Sequence, residues 1–392
     1  LDILIQDFDF SILNYFVNKK ILETQGLVNG TFSMRNILKS PIVDGHLTVD
    51  DLSVNTIYLG KATLHSKWKN FEKKLSLNGE IKYGAIPSIQ LSGNYLPFDQ
   101  QNNFDFAVTM HQTDVKLFAP YIENVLSEIQ GNVTGNMFLK GTAKKPLFTG
   151  QLSLSHPKFK VNYLNTYFSA PSIPFYLYDD FIAADNIKLF DQQNNPLYVN
   201  VSLAHKNLTN LNYDISGITE KAFVLNTTEI QNDLFYGQAY VGGQFDVSGD
   251  SKTLFVDLDI KTLKGTSLNI PVDQTESLEA FEFIEFATAD TLSEKDTLTE
   301  TELDVHLSML ADITPETEIK IIFDKQLGDV IRSKGKGNLK ITYANEEFKI
   351  FGDYTIINGD YLFTLQNVIN KKFDITSGST IHWSGDVYEG EL

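Results

Sequence analysis

The chain of 392 residues contains no cysteine. That absence excludes a disulfide-stabilised scaffold and any zinc site built from thiolates. Runs of 18 apolar residues are also missing, so no segment matches a membrane-spanning helix. At this length the chain could form two or three ordinary domains, each with a sizeable core.

Positive charge is scarce along the whole sequence. The chain has 32 Lys and Arg against 50 Asp and Glu, a formal net charge of −18 and a sequence pI near 4.8. Binding to nucleic acid or to anionic lipid headgroups through a basic surface needs the opposite balance. We therefore expect no nucleic-acid partner.

Motifs that carry chemistry are missing as well. The sequence has no HExxH, no GxSxG, no P-loop and no GxGxxG after a strand. Its seven histidines are scattered without the spacing of metal ligands. No carboxylate pair stands out, although glycoside hydrolysis would require only two such groups. We expect no enzymatic activity, no metal and no cofactor.

Alternation of apolar and polar residues runs through the sequence from end to end. Clear examples are Gly45–Val54, Gly150–Ser155, Leu254–Leu263 and Gly337–Tyr343. Many short strands separated by Gly, Asn and Asp predict an antiparallel sheet, a sandwich, a barrel or a solenoid. The 28 Phe and 17 Tyr suit either a closed sandwich core or a long open sheet that presents them to a groove.

One short segment carries a strong hairpin signal. Asn358-Gly359, inside Gly352–Leu365, favours a two-residue type I′ turn, because Asn and Gly tolerate positive φ. Such a turn would place Ile356 opposite Tyr361 and gather aromatic residues on one surface.

Helical spacing of apolar residues occurs in three places. Ser11–Gly26 and Asp114–Gly131 are predicted helices that end at a capping glycine. Gln274–Phe286 is a third predicted helix. The acidic stretch Asp290–Glu302 predicts a solvated loop.

An internal repeat of about 105 residues follows the first two predicted helices. Two glycines four residues apart, a proline and a further glycine occur twice with the same spacing: Gly26, Gly30, Pro41, Gly45 and then Gly131, Gly135, Pro146, Gly150. A degenerate third copy includes Gly237. The repeat predicts an extended array of stacked units. About thirty strands spaced about 4.8 Å apart would span about 140 Å.

The C-terminal part, Leu303–Asp386, contains five linked motifs. They are an Ile-Thr-Pro turn, an Ile-Phe-Asp strand, a glycine-rich segment from Gly328 to Leu339, the predicted hairpin, and a closing segment that ends in Trp-Ser-Gly-Asp. The motif residues are Pro315, Phe323, Asp324, Gly352, Gly359, Phe373, Gly378, Ser379, Trp383, Gly385 and Asp386. This combination resembles the C-terminal domain of the TamB family. The amino-acid sequences of the motifs resemble those of Bacteroidetes members more than those of enterobacterial ones. The glycine-proline repeat is similar to the larger AsmA-like group of bridge-type lipid-transfer proteins.

The resemblance implies a mainly β fold. It would be an elongated antiparallel half-pipe, or β-taco, with an apolar groove and a few short helices. Residues 1–130 would form an AsmA/TamB-like repeat of helix and sheet, residues 131–236 a second β repeat, and residues 237–392 the TamB C-terminal domain, incomplete at its C-terminus. Because the chain starts without Met or a signal peptide, we expect it to be a piece of a longer protein.

The resemblance also implies a non-enzymatic function in outer-membrane biogenesis. The protein would lie in the periplasm, held to the inner membrane by an anchor outside this chain. It would work with an outer-membrane β-barrel partner of the BamA/TamA family. Phospholipid acyl chains would move between the two membranes along a groove lined by Leu339, Ile341, Tyr343, Phe348, Ile350, Tyr354, Ile356, Tyr361, Phe363, Leu365, Val256, Leu258, Ile260, Leu152 and Leu154.

Two other hypotheses stay open on the sequence alone. The protein could act as a chaperone or scaffold of the translocation and assembly module (TAM) complex, holding outer-membrane β-barrel proteins during assembly or secretion by β-augmentation at a sheet edge. It could also be an unrelated secreted β-protein, such as an adhesin or a glycan-active enzyme.

Overall fold

One continuous sheet of 23 strands makes up nearly all of the described chain. The computed structural model describes residues 2–15, 23–35, 42–84, 86–142, 145–206, 209–232, 235–271, 304–324, 328–345, 347–365, 369–387 and 389–391. The predicted helix over Gln274–Phe286 and the predicted loop over Asp290–Glu302 lie outside these residues.

The strands follow one another along the chain with short connections. They are β1 (Asp2–Asp9), β2 (Thr24–Arg35), β3 (Ile42–Val54), β4 (Ile57–Lys69), β5 (Lys74–Tyr83), β6 (Ile86–Tyr95), β7 (Phe104–Asp114), β8 (Leu126–Thr142), β9 (Lys145–Val161), β10 (Thr166–Ser169), β11 (Ser172–Leu177), β12 (Phe181–Asp191), β13 (Pro196–Lys206), β14 (Thr209–Thr227), β15 (Tyr236–Gly249), β16 (Thr253–Thr262), β17 (Ser267–Pro271), β18 (Asp304–Ile313), β19 (Glu318–Asp324), β20 (Asp329–Ala344), β21 (Glu347–Leu365), β22 (Ile369–Ile375) and β23 (Thr380–Asp386).

Strands at adjacent positions of the sheet pair antiparallel, except at one place. The exception joins β16 to β18 and β17 to β19 in parallel. Parallel neighbours need a connection of a dozen or more residues, and residues 272–303 separate these two pairs of strands. The mainly β, elongated architecture expected from the sequence is thus confirmed.

Within the described residues the strands are fewer than the roughly thirty expected. Four positions of the sheet are shared by two short strands each (β10 with β11, β16 with β17, β18 with β19, β22 with β23), so the 23 strands occupy 19 positions. At about 4.8 Å per step, 19 positions span about 86 Å. Several strands run well beyond the dozen residues assumed for a strand with its turn: β14 and β21 have 19 residues each, and β8 and β9 have 17 each. Residues 272–303 lie outside the described residues.

The sheet does not close into a compact body. Its solvent-accessible surface is 23808 Å², whereas a compact protein of 44.2 kDa exposes about 15,500 Å². Many positions are only half-buried, including nearly the whole of β5 and all of β17. An open sheet leaves its apolar face within reach of solvent and explains both observations.

One predicted helix is largely wrong, and a second is wrong at its two described ends. Asp114–Gly131 forms only a short 3-10 helix, Val115–Tyr121, with Pro120 inside it, and β8 then starts at Leu126. Of Ser11–Gly26, residues 11–15 belong to a 3-10 helix, Phe10–Tyr15, and residues 24–26 to β2, while residues 16–22 lie outside the described residues. Pairing with neighbouring strands satisfies the backbone hydrogen bonds of the following residues, and this tertiary contribution overrides the local helical spacing.

The two glycines expected to cap these helices lie inside strands. Gly26 belongs to β2 and Gly131 to β8, with φ of 144° and 131°. Both coincide with a shift of strand register, so each glycine marks a β-bulge.

The predicted hairpin is also wrong. Asn358-Gly359 lies within the continuous strand β21, where Asn358 pairs with Lys334 and Gly359 with Ser333 of β20. The register shifts beside these residues, and Ile357 is the extra residue of a β-bulge. Gly359 allows a close approach of β20 beside the bulge, because a Cβ there would lie 2.7 Å from the Arg332 carbonyl oxygen.

The 105-residue repeat extends to the backbone conformation. Positions 105 residues apart carry matching positive φ values: Asp7 and Gln112 (47° and 50°), Gly26 and Gly131 (144° and 131°), and Asp51 and His156 (53° and 48°). The two 3-10 helices start at the same offset. The bulges are therefore features of the repeating unit.

The division into three domains stays a prediction. The boundary between residues 130 and 131 falls inside β8, and the boundary between residues 236 and 237 falls at the first residue of β15. Hydrogen bonding between strands continues across both positions.

Candidate functional site: the apolar face of the sheet

Directly paired positions form a row of apolar residues across the sheet. The row joins one residue at each position of the sheet from β2 to β21, where partners lie side by side on the same face. Its first part is Val28, Val49, Ala62, Ile81, Ile89, Met110, Gly135, Leu152 and Phe175. Its second part is Ala184, Val201, Ile215, Val247, Val256, Leu307, Tyr343 and Phe348.

The two parts of the row are adjacent. Tyr176 pairs with Ala183, which places Ala184 beside Phe175 on the same face. Gly135 is the one member without an apolar side chain. We call this side of the sheet the apolar face.

The opposite side of the sheet carries the charges. In β20, Arg332, Lys334, Lys336 and Lys340 are exposed, while their neighbours alternate toward the apolar face. In β16, Asp257 and Asp259 alternate in the same way with Val256 and Leu258. Strand periodicity of two therefore separates a water-facing side from an apolar one.

Fourteen of the fifteen predicted groove residues lie on the apolar face by strand register. The side chain of Leu365 lies outside the described residues. Six of the fourteen are buried: Leu154, Leu339, Tyr343, Ile350, Tyr354 and Ile356. The other eight are half-buried: Leu152, Val256, Leu258, Ile260, Ile341, Phe348, Tyr361 and Phe363. Only the half-buried set can contact a bound molecule without displacing neighbouring side chains.

Four of the six buried residues, Leu339, Ile350, Tyr354 and Ile356, belong to a packed cluster at the C-terminal end of the sheet. Ile356 is 0% exposed and Tyr354 2%, against Ile313, Ile381 and Trp383. The Tyr354 hydroxyl lies 3.2 Å from the Ser333 hydroxyl. Burial raises the pKa of Tyr354, which outweighs the opposing hydrogen bond to Ser333. Tyr354 therefore stays neutral and acts as a structural residue.

The bulge at Ile357 keeps the aromatic residues on the apolar face. Tyr361 follows Ile356 by five positions, an odd number. An unbulged strand would therefore direct the two side chains to opposite faces. With Ile357 as the extra residue, Tyr361 pairs with Ile331 and Phe373. Its ring stacks on Phe373 with centroids 6.3 Å apart.

Several family-motif residues shape a corner where β18 gives way to β19. Pro315 lies between these strands, in the short connection Thr314–Thr317. Thr317 is 0% exposed. Its hydroxyl lies 2.6 Å from the Thr262 hydroxyl. Thr314 donates its backbone N–H to that Thr262 hydroxyl at 3.0 Å. This hydrogen-bond network links the connection between β18 and β19 to the end of β16, where the chain continues to β17.

The remaining motif residues have packing or backbone functions. Phe323 contacts the Tyr361 ring edge-on at 6.4 Å, and the Trp383 indole donates to the Val387 carbonyl at 3.1 Å. A Cβ on Gly352, whose φ is 119°, would lie 2.3 Å from the Asn338 carbonyl oxygen. The others lie at strand ends, in the turn between β22 and β23, or in tight pairing: Asp324, Gly359, Gly378, Ser379, Gly385 and Asp386.

Sequence reasoning missed most of the apolar row. Val49, Met110, Val201 and Ile215 were not singled out, although each sits in an alternating segment. The signal that could have found them is the period of two within each strand. That period gives a face for each strand but no register between strands.

Two other kinds of feature are missing from the described residues. They contain no helix long and apolar enough to cross a membrane. They also bring together no group of three or more His, Asp or Glu side chains that could hold a metal ion.

Comparison with known proteins gives one family. The family model of the TamB C-terminal domain matches residues 185–392, more than half of the chain, from within β12 to the end. No curated protein and no solved structure matches the chain.

Proposed function

The chain belongs to the TamB C-terminal domain family, and on that premise we propose that its apolar face conducts phospholipid acyl chains between the inner and outer membranes. Proteins of this family are non-enzymatic components of the translocation and assembly module in outer-membrane biogenesis. They are anchored in the inner membrane, extend through the Gram-negative periplasm and work with TamA, an outer-membrane β-barrel of the BamA family. We place the anchor outside this sequence. Membership speaks against the hypothesis of an unrelated adhesin or glycan-active enzyme.

The observation that carries the proposal is the continuity of the apolar row. Seventeen paired positions follow one another from β2 to β21, and the described register shows no charged residue among them. An acyl chain could therefore stay in apolar contact over the length of the sheet.

The energetics favour such a surface over passage through water. Each CH₂ exposed to water costs about 0.8 kcal/mol, so a 16-carbon tail faces about 13 kcal/mol. At 1.36 kcal/mol per factor of ten, that barrier slows transfer by roughly nine powers of ten. Half-buried side chains such as Leu258 and Ile341 would replace water around the tail, while headgroups remain in solvent at the open side.

The test is photocrosslinking from neighbouring positions on opposite faces. A photoreactive residue at Leu258 or Ile341 should capture phospholipid in cells. The same residue at Asp257 or Lys340, one position away and on the charged side, should not. Equal lipid capture from both faces would overturn the proposal. Protein capture from the apolar face without lipid would favour the scaffold hypothesis.

A second candidate function rests on the edge of the sheet. In the described part of the chain, β1 pairs with β2 on one side only, and Leu4 and Phe8 on it are 66% and 47% exposed. Such an edge could accept a strand of an unfolded outer-membrane protein by β-augmentation. Proline in place of Ile3 or Ile5 should then weaken binding of a porin-strand peptide. Peptide binding that is insensitive to both substitutions would contradict this alternative.

A further inference from the structure

A shallow depression opens on the charged side of the sheet, across β12 to β15. Its volume is about 310 Å³, at the lower end of the range for small-molecule sites. Six of its lining side chains lie in two paired rows. One row is Asn200, Ser216 and Asp246, and the other is Tyr198, Ile218 and Gln244.

The shape follows from side-chain size. Ser216 is the smallest of the six and lies between Asn200 and Asp246 on the neighbouring strands. Tyr198 and Ile218, which are 42% and 56% exposed, rise beside it in the adjacent row. The larger neighbours thus form a rim around the short serine side chain.

The hydrogen-bonding groups in the depression are partly fixed. The Asn200 carboxamide oxygen accepts the backbone N–H of Asn186 at 2.8 Å, where β12 bulges. The Asn200 amide nitrogen donates to the Ser216 hydroxyl at 3.4 Å. The orientation of this amide is therefore set by its neighbours, while Gln244 and Asp246 are exposed to solvent.

The composition of the depression selects a class of ligand. No Lys, Arg or His lines it, and the chain carries a net charge of −18, so an anion is disfavoured. The Lys188 ammonium lies 5.9 Å from the centroid of the Tyr198 ring, on the β12 side and outside the lining. Most lining groups are polar, which disfavours a purely apolar ligand.

An uncharged sugar fits these groups. Amide, hydroxyl and carboxylate side chains can donate to and accept from neighbouring hydroxyl groups, and an exposed tyrosine ring offers an apolar surface with a polar tip. We propose that this depression binds an uncharged pyranose ring of a glycan. The site lies on the side opposite to the apolar face and does not depend on the proposed lipid function.

The test is titration of the intact chain with chitotetraose and, separately, maltotetraose. Binding is followed by saturation-transfer difference NMR and microcalorimetry. Because the site is shallow and solvent-exposed, we expect a dissociation constant on the order of 1 mM for at least one probe. Tyr198→Ala and Gln244→Ala should each weaken binding by about tenfold or more. No saturable binding of either probe by the wild-type chain would overturn the proposal.

A matched control and a charge variant complete the test. Tyr176 is 38% exposed on the same side of the sheet but lies outside the depression, so Tyr176→Ala should bind as the wild type does. Loss of binding in that variant as well would contradict the assignment. Asp246→Asn should weaken or preserve the binding of the neutral probes. If it instead creates binding of trigalacturonate above that of both neutral probes, the ligand class is anionic and the proposal fails.

Discussion

At the scale of single residues, burial divides the apolar face into core and contact surface. Ile356 and Ile357 are neighbours in β21, yet the first is 0% exposed and the second 41%. The first fills the C-terminal cluster and the second is the extra residue of a bulge. Hydropathy is the same for both, so only the backbone geometry separates their contributions.

We expect Ile356→Ala to destabilise the C-terminal cluster by about 3 kcal/mol, because a large side chain leaves a cavity in a packed core. The matched Ile357→Ala should cost less than about 1 kcal/mol. Urea unfolding followed by Trp383 fluorescence in a Trp68→Phe background measures both, since Trp383 lies in the same cluster. Similar losses for the two variants would contradict the assigned burial.

Tyr213 makes stability depend on alkaline pH. Burial raises its pKa to about 12, with a further contribution from the negative charge of Asp250. In the unfolded chain a tyrosine titrates near pH 10. The folded state keeps the proton longer, so the contribution is full below pH 10 and is lost as the pH rises from 10 to 12.

Because solvent screens this half-buried group, we expect a loss of about 1 kcal/mol across that interval. Unfolding free energies of the wild type and Tyr213→Phe, measured from pH 9 to pH 12, give the difference. The wild type should lose stability more steeply. Parallel curves for the two proteins would show that Tyr213 contributes nothing to the pH dependence.

At the scale of elements, bulges decide which face each half of a long strand presents. β21 runs for 19 residues, and alternation alone would turn Tyr361 and Phe363 away from Ile356. The bulge at Ile357 restores their common face. The bulges near Gly26 and Gly131 occur at equivalent positions of the repeat. Each copy of the repeating unit therefore contains a bulge that shifts the strand register at the same place.

Deleting Ile357 should therefore be far more damaging than replacing it. Removal of one residue moves Gly359 to Phe363 to the opposite face or forces β22 out of register. We expect hydrogen-exchange protection to fall across the C-terminal half of β21 and across β22. The control Ile357→Gly keeps the residue count and should retain protection in β22. Unchanged protection in the deletion variant would mean that no bulge is needed there.

At the scale of the whole molecule, the sheet is long and open. A compact chain of 392 residues has a radius of gyration of about 21 Å. Nineteen strand positions about 4.8 Å apart give a body about 86 Å long. That length alone contributes about 25 Å to the radius of gyration. Small-angle scattering should give a value above 25 Å. A value near 21 Å would show that the sheet folds back on itself and has no open apolar face.

The extent of sequence-based prediction differs between fold and site. The β class, the acidic exterior, the repeat and the family motifs were all readable from the sequence, and family membership is confirmed. The helix near Phe118 and the hairpin at Asn358 were wrong, and the helix from Ser11 was wrong at its two described ends. In each case a local pattern was interpreted without the neighbouring strand that satisfies the same backbone groups.

The sequence by itself determined that strands would form and which side of each strand would be apolar, because alternation is a local property with a period of two. Only the tertiary structure decided which residues meet, such as Val256 with Leu307 and Tyr343 with Phe348. Register depends on hydrogen bonds between strands and on bulges that shift the alternation by one residue. Single-strand patterns contain neither, and for that reason the continuous apolar row became visible only in the folded sheet.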